Sequence, residues 1–273
     1  MAEKGEKRVA LVLGAVKGIG KAIGLALARK GIRTALTWFD WEDSAESMAR
    51  DFAETGVDHQ IIRIDLRNRE EIAPLVEQVI RRFGRLDILI NNIERGGMPV
   101  VHGAYTSDQW DLEVATTLTA KRWVFDAAFP HLKRSGAGTV INISSIAGIV
   151  GRSGPCSFLF NEGYASLNRG ISLLTETWAR IGAPEVRVNE LMLGVVDTRH
   201  GAGTRGWGLL SDEVKQGLLD HTLLRRTGTV EDVVNACLFL IDGAPFMTGS
   251  VIRLDGGYVL GGDKVHPLPP GVE

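Results

Sequence analysis

The chain is poor in the residues on which several kinds of protein depend. Only two of its 273 residues are cysteine, Cys156 and Cys237, and they show no metal-ligand spacing, which excludes a disulfide scaffold and gives both a packing role. Six histidines are scattered without a pair at metal-binding spacing, so no metal site is expected. Long apolar runs are missing too. The first, Val9–Leu13, is too short for a signal peptide or a membrane span and follows the charged start MAEKGEKR, so a cytoplasmic chain without a membrane partner is expected. Neither sign of charge dominates: 31 Lys and Arg face 33 Asp and Glu, for a net charge of -2. Without a basic field, nucleic acid is not an expected partner. Lysine is absent between Lys133 and Lys215, and there are only three tyrosines.

What is present is a large supply of core. With 44% hydrophobic residues and 33 glycines, the sequence fits one globular domain over 1–273. Short β-rich runs, Val9–Leu13, Thr34–Trp38, Gln60–Ile64, Asp87–Asn91, Thr139–Ile143, Arg187–Met192 and Val251–Leu254, alternate with amphipathic stretches. That alternation predicts an α/β fold, a doubly wound parallel sheet of about seven strands with helices on both faces.

One helix is expected from Ser157, as N-cap, to about Ala179. Phe160, Tyr164, Leu167, Ile171, Leu174 and Trp178 form its core stripe, and Phe158 and Glu162 lie on another row. A glycine-rich, aperiodic stretch at 199–211 precedes a short helical pattern at Asp212–His221. Residues 199–221 therefore read as a ligand-covering lid, and 262–273 as a tail.

After the first strand comes Gly14-Ala-Val-Lys17-Gly18-Ile19-Gly20, opening a helix. Glycines there let the backbone turn sharply and approach a pyrophosphate, whose charge the helix N-terminal amides meet. A glycine triplet alone also suits a ligand-free turn. Further motifs narrow the choice: Asn91-Asn92, INISSIAG at 141–148, VRVNELMLG at 186–194, and the run RRTGTVEDVVNACLFL…MTGSVIRLDGGYVL.

In this ordered set the chain resembles the short-chain dehydrogenase/reductase family, near its 3-oxoacyl-[acyl-carrier-protein] reductase group. The resemblance implies a Rossmann-like domain that binds a nicotinamide dinucleotide and assembles as a homodimer or homotetramer. It further implies that Gly14, Lys17, Gly18, Ile19 and Gly20 cradle the cofactor, that Asp65 and Leu66 flank the adenine, that Asn91 lines the cleft, and that Thr198 approaches the carboxamide. Lys17 could neutralise a 2′-phosphate, and Trp38 stands where an acidic residue would hold the ribose of NAD. Both favour NADP, although Asp40 argues for NAD.

Family members pair hydride transfer with a proton-donating tyrosine, a carbonyl-orienting serine, a lysine that binds ribose and activates the tyrosine, and an asparagine. Carried over, Ser145 matches the serine, Phe158 falls thirteen residues later at the tyrosine, Glu162 takes the lysine position and Thr117 the asparagine. Phenylalanine has no proton to give, and Glu162 reverses a charge, though it could accept hydrogen bonds from ribose hydroxyls. Tyr164 has no lysine at a usable spacing and reads as a core or interface residue. Ile93 and Glu94, where the family has Ala-Gly, and Leu193, in place of proline, alter the same pocket.

Two functions follow. One is an NADP(H)-binding oxidoreductase of a carbonyl or hydroxyl small molecule that works without the usual Tyr/Lys pair. The other is a catalytically inactive pseudoenzyme, a structural or regulatory subunit that pairs with itself or with an active homologue. The lid stretch carries no charge pattern that selects a substrate.

Overall fold

A computed structural model describes residues 7–94, 105–198 and 210–262. The stretch 199–209 of the expected lid and the tail beyond 262 lie outside the described residues. The elements in chain order are β1 (Val9–Val12), α1 (Gly18–Arg29), β2 (Arg33–Trp38), α2 (Glu42–Glu54), β3 (His59–Arg63), α3 (Arg69–Phe83) and β4 (Ile88–Asn91). Then follow α4 (Ser107–Glu113), α5 (Ala120–Arg134), β5 (Gly138–Ser145), α6 (Ala147–Val150), α7 (Glu162–Gly182), β6 (Val186–Leu193), α8 (Asp212–His221), α9 (Val230–Leu238) and β7 (Val251–Leu254).

All seven strands join one parallel sheet in the order β3-β2-β1-β4-β5-β6-β7. The order reverses between β1 and β4, and the crevice at such a switch point is where doubly wound sheets bind ligands. β1, β4 and β5 are buried throughout, which explains the apolar runs Val9–Val12 and Ile88–Ile90; β5 also buries Thr139, Asn142, Ser144 and Ser145. Helices α1, α2 and α9 cover one face, packing Ile23, Leu27, Met48, Phe52, Val233 and Cys237 on the sheet. Helices α3, α5 and α7 cover the other with Ile72, Val76, Val124, Phe125 and Trp178, the last two rings stacked 4.1 Å apart.

The sequence-based start of α7 is corrected. Its N-cap is Asn161, not Ser157: Asn161 Oδ1 accepts the Tyr164 N–H at 2.7 Å, while Asn161 Nδ2 donates to Glu113 at 2.6 Å. The preceding residues are occupied by turns instead, with Ser157 N–H donating to Gly154 O and Leu159 N–H to Cys156 O. Of the expected stripe, Tyr164, Leu167, Ile171 and Trp178 are buried on the helix and Leu174 is partly buried. Phe160 is buried just ahead of the cap. The later start removes Phe158 from the helix and makes Glu162 its first residue.

A third apolar cluster closes the end of the sheet beyond β5 and β6. It contains Ile146, Cys156, Leu159, Phe160, Tyr164, Met192, Leu218 and Tyr258. Both cysteines are packing residues here, and burial pushes each thiol up to about 12.

Candidate functional site

A cleft of about 530 Å³ opens at the switch point, within the range of small-molecule sites. Its first wall is the glycine turn. Gly14 and Gly18 adopt left-handed φ of 63° and 58°, and a Cβ on Gly14 would lie 2.5 Å from the Asn92 carbonyl oxygen. A Cβ on Gly20 would strike Gly14 O and Asn92 Nδ2, whereas above Gly18 the nearest atom is Thr198 Cβ at 3.9 Å. The turn is tied down by Gly14 N–H to Thr37 Oγ1 and by Asn92 Nδ2 to Gly14 O, each 3.2 Å. The N-cap of α1, Lys17, makes no capping bond, and the first turn has no acidic residue, so its amides face the cleft available to an anion. This end fits a pyrophosphate.

The distal end is aromatic and charged. Lys17 Nζ sits 2.9 Å from the centroid of the Trp41 ring, Arg63 stacks over Trp38, and Arg67 stacks over Phe39. Arg67 also grips Asp65, with Nη2 to Oδ2 at 2.6 Å, and that bond holds the Asp65 carboxyl below its ordinary value. Trp38, Asp40, Asp65 and Leu66 all line the cleft. Asn91 does not. It is fully buried and donates to Asn142 across β4 and β5 at 2.8 Å, so Asn92, the next residue, faces the cleft in its place.

At the other end, the structure changes which residues meet. Phe158 and Glu162 do not line the cleft. Phe158 packs on the apolar cluster beyond the sheet, and Glu162 is exposed beside Gly151, Arg152 and Ser166. Tyr164, expected in a core or interface role, lines the cleft with Ser145, Glu94, Ile93, Leu193 and Thr198. Its hydroxyl donates to Glu94 Oε2 at 3.3 Å. One turn on, Asn168 donates to Glu94 Oε1 at 2.8 Å and accepts the Ser145 N–H at 2.9 Å.

Thr117 lies fully buried in a π-helical turn, Val114–Thr119, between α4 and α5. Its hydroxyl has no hydrogen-bond partner among the described residues, and its neighbour Thr116 lines the cleft.

Three ionisable groups escaped sequence reasoning. Lys121 on α5 is fully buried, and its Nζ donates to the Ile143 carbonyl at 2.6 Å. Burial lowers its pKa, and the carboxylates of Glu94 and Glu190 counter that. Glu190 on β6 is fully buried and accepts from Ser144. Glu113 accepts from Asn161 and from Tyr105, the latter at 2.9 Å. Burial raises both carboxyls. As isolated charges on amphipathic patterns they look like solvated positions. Tyr164 carried no signal of its own either: the residue four positions on is Asn168, not lysine.

A glycine turn and an uncapped helix end at the switch point of a parallel sheet suit a dinucleotide. The profile of the family described as Enoyl-(Acyl carrier protein) reductase matches residues 14–259. The chain belongs to the short-chain dehydrogenase/reductase family of oxidoreductases. The 3-oxoacyl-[acyl-carrier-protein] reductase FabG of Staphylococcus aureus is 31% identical, over 91% of this chain and 96% of that protein. FabG of Thermotoga maritima is 28% identical over 93% and 99%. A short-chain type dehydrogenase/reductase from Mycobacterium ulcerans superposes with a TM-score of 0.81 at 27% identity, covering 94% of this chain and 91% of that one. Among the described residues no three His, Cys, Asp or Glu side chains gather to hold a metal, and no helix is long and apolar enough to cross a membrane.

Proposed function

We propose that the protein is an NADP(H)-dependent oxidoreductase of a small carbonyl or hydroxyl compound, with Tyr164 as the proton-transferring phenol. The observation that carries this reading is that Tyr164 and Ser145 line one cleft, with Asn168 bonded to the backbone of both, the Ser145 N–H and the Tyr164 carbonyl. A nicotinamide dinucleotide, when bound, supplies or accepts the hydride. The amides at Gly18–Gly20 would hold its pyrophosphate, and Lys17 a 2′-phosphate. Ser145 would orient the substrate oxygen, while Tyr164 exchanges a proton with it. Cytoplasmic placement and a homo-oligomer follow from the family likeness.

A second reading, a noncatalytic subunit, draws on Glu94. Its carboxylate accepts hydrogen bonds from both the Tyr164 hydroxyl and Asn168, while the positions that align with the family's tyrosine and lysine carry Phe158 and Glu162. Calorimetric titration with NADP⁺, NADPH, NAD⁺ and NADH, followed by a carbonyl screen at high enzyme concentration, separates the two. Tight NADP(H) binding with turnover that Tyr164→Phe abolishes supports the enzyme. No binding at millimolar dinucleotide defeats it, and binding without turnover favours the subunit.

A further inference from the structure

We infer that Glu94 is the proton partner of Tyr164. The inference rests on the oxidoreductase reading above and assigns that site a different proton route.

The position four residues after Tyr164 carries no cation. Asn168 is neutral, and its two polar ends are spent on Ser145 N–H, Glu94 Oε1 and the Tyr164 carbonyl. The group that meets the phenol oxygen is a carboxylate, 3.3 Å away. That is longer than the roughly 2.7 Å usual for hydroxyl donors, and such catalytic bonds commonly tighten when ligand binds. Asn168 fixes one carboxylate oxygen and leaves the other aimed at the phenol. A lysine helps a tyrosine by stabilising phenolate; a carboxylate cannot do that. It can take the proton.

Among the described residues Lys121 is a buried cation whose charge bears on Glu94. The chain buries this side chain completely and anchors it on the carbonyl of Ile143, itself a cleft residue two positions before Ser145. A buried ammonium is costly unless paired, and the charges of Glu94 and Glu190 offset part of that cost. Among the described residues the groups bearing on Glu94 are Tyr164 and Asn168 from α7, Lys121 from α5 and Glu113 from α4. Glu190 of β6 bears on Lys121, and Arg169 of α7 bears on Glu190.

In the oxidising direction the substrate O–H breaks and its proton goes to the phenol oxygen, as the phenol's own proton passes to Glu94 Oε2 and on to solvent. The C–H electron pair leaves as hydride for an oxidised nicotinamide dinucleotide, and the freed oxygen pair forms the C=O bond. Reduction reverses each step.

The phenol can be read without cofactor or substrate. The chain has three tyrosines. Burial pushes Tyr105 up to about 12 and raises Tyr258 as well. The ultraviolet titration difference between the native chain and Tyr164→Phe therefore isolates Tyr164. Glu94→Gln keeps the shape and removes the charge. It should lower the pH at which Tyr164 ionises by about one unit, and in the presence of dinucleotide cut kcat at least about ten-fold with loss of the acid limb of its pH profile. Glu94→Asp, which keeps charge but withdraws the reach, should also lose the limb. An unmoved phenol titration in Glu94→Gln, or kcat equal to or above the native value in either Glu94 variant, overturns the inference. Absence of dinucleotide binding to the native chain defeats the oxidoreductase reading instead, and the phenol titration still decides whether Glu94 and Tyr164 are coupled.

Discussion

Asn168 holds Ser145 by its backbone: Oδ1 accepts the Ser145 N–H at 2.9 Å, across the gap between α7 and the end of β5. Both residues are almost fully buried, so no solvent stands ready to replace the bond. Asn168→Ala should therefore destabilise the fold by about 1–3 kcal/mol, the cost of orphaning a buried donor. Urea unfolding monitored by tryptophan fluorescence measures it. A change under about half a kcal/mol would mean that Ser145 is held by something else.

The pair Phe158 and Glu162 supports a second prediction. If the spacing in the sequence located the site, Phe158→Tyr with Glu162→Lys would create activity. With Phe158 among apolar neighbours and Glu162 exposed, the double variant should neither raise turnover nor alter dinucleotide affinity. Its stability should fall modestly, since Glu162 sits in the first turn of α7, where a carboxylate is worth about 0.3–1 kcal/mol against the helix dipole. Tyr164→Phe should instead lower kcat by roughly 10²–10⁴ while the thermal midpoint stays close to native. Steady-state kinetics on the two proteins side by side settles which tyrosine position matters.

The reason the sequence misled at that helix is local. Ser157 and Asn161 are both capping residues, one helical turn apart, and either could open the apolar stripe. Asn161 wins because both ends of its amide are used, one by Tyr164 N–H and one by Glu113, a contact between distant segments that no periodicity shows. Strands β1 and β4 were legible because they are buried on both faces and so read as apolar runs. The glycine turn was legible because its chemistry is backbone chemistry. Asn91 and Asn92 show the limit: adjacent strand-end residues face opposite ways, and which one enters the cleft depends on where the strand stops. Lys121 and Glu190 gain meaning only when the fold brings their elements together.

Glu113 gives a pH-dependent prediction. Burial raises its carboxyl above the ordinary value, and nearby Glu94 adds to this, while hydrogen bonds from Asn161 and Tyr105 lower it in part. A carboxyl raised in the folded state binds protons more tightly there than in the unfolded chain. Stability attributable to Glu113 is then fullest below its unfolded pKa and falls as pH rises through that value towards the raised one. Glu113→Gln removes the titration. Chemical denaturation from pH 4 to pH 8 should show the native chain losing stability relative to the variant as pH rises; a constant difference would exclude the linkage.

Lys17 is the last test, because it decides between the two nicotinamide dinucleotides. Its ammonium lies on the face of Trp41, close to Trp38 at the end of β2, where an acidic residue would hold the ribose of NAD. A charge-assisted contact to a phosphate is worth about 1.5–3 kcal/mol, so Lys17→Met should weaken NADP⁺ binding by roughly 10- to 100-fold. NAD⁺ has no 2′-phosphate and should be almost unaffected. Asp40 pulls the other way: Asp40→Asn should strengthen NADP⁺ selectively, since it removes a carboxylate from the same end of the cleft. Equal losses for both dinucleotides in Lys17→Met would place the lysine on the pyrophosphate, which the two share, and would leave the proposed preference for NADP without its principal support.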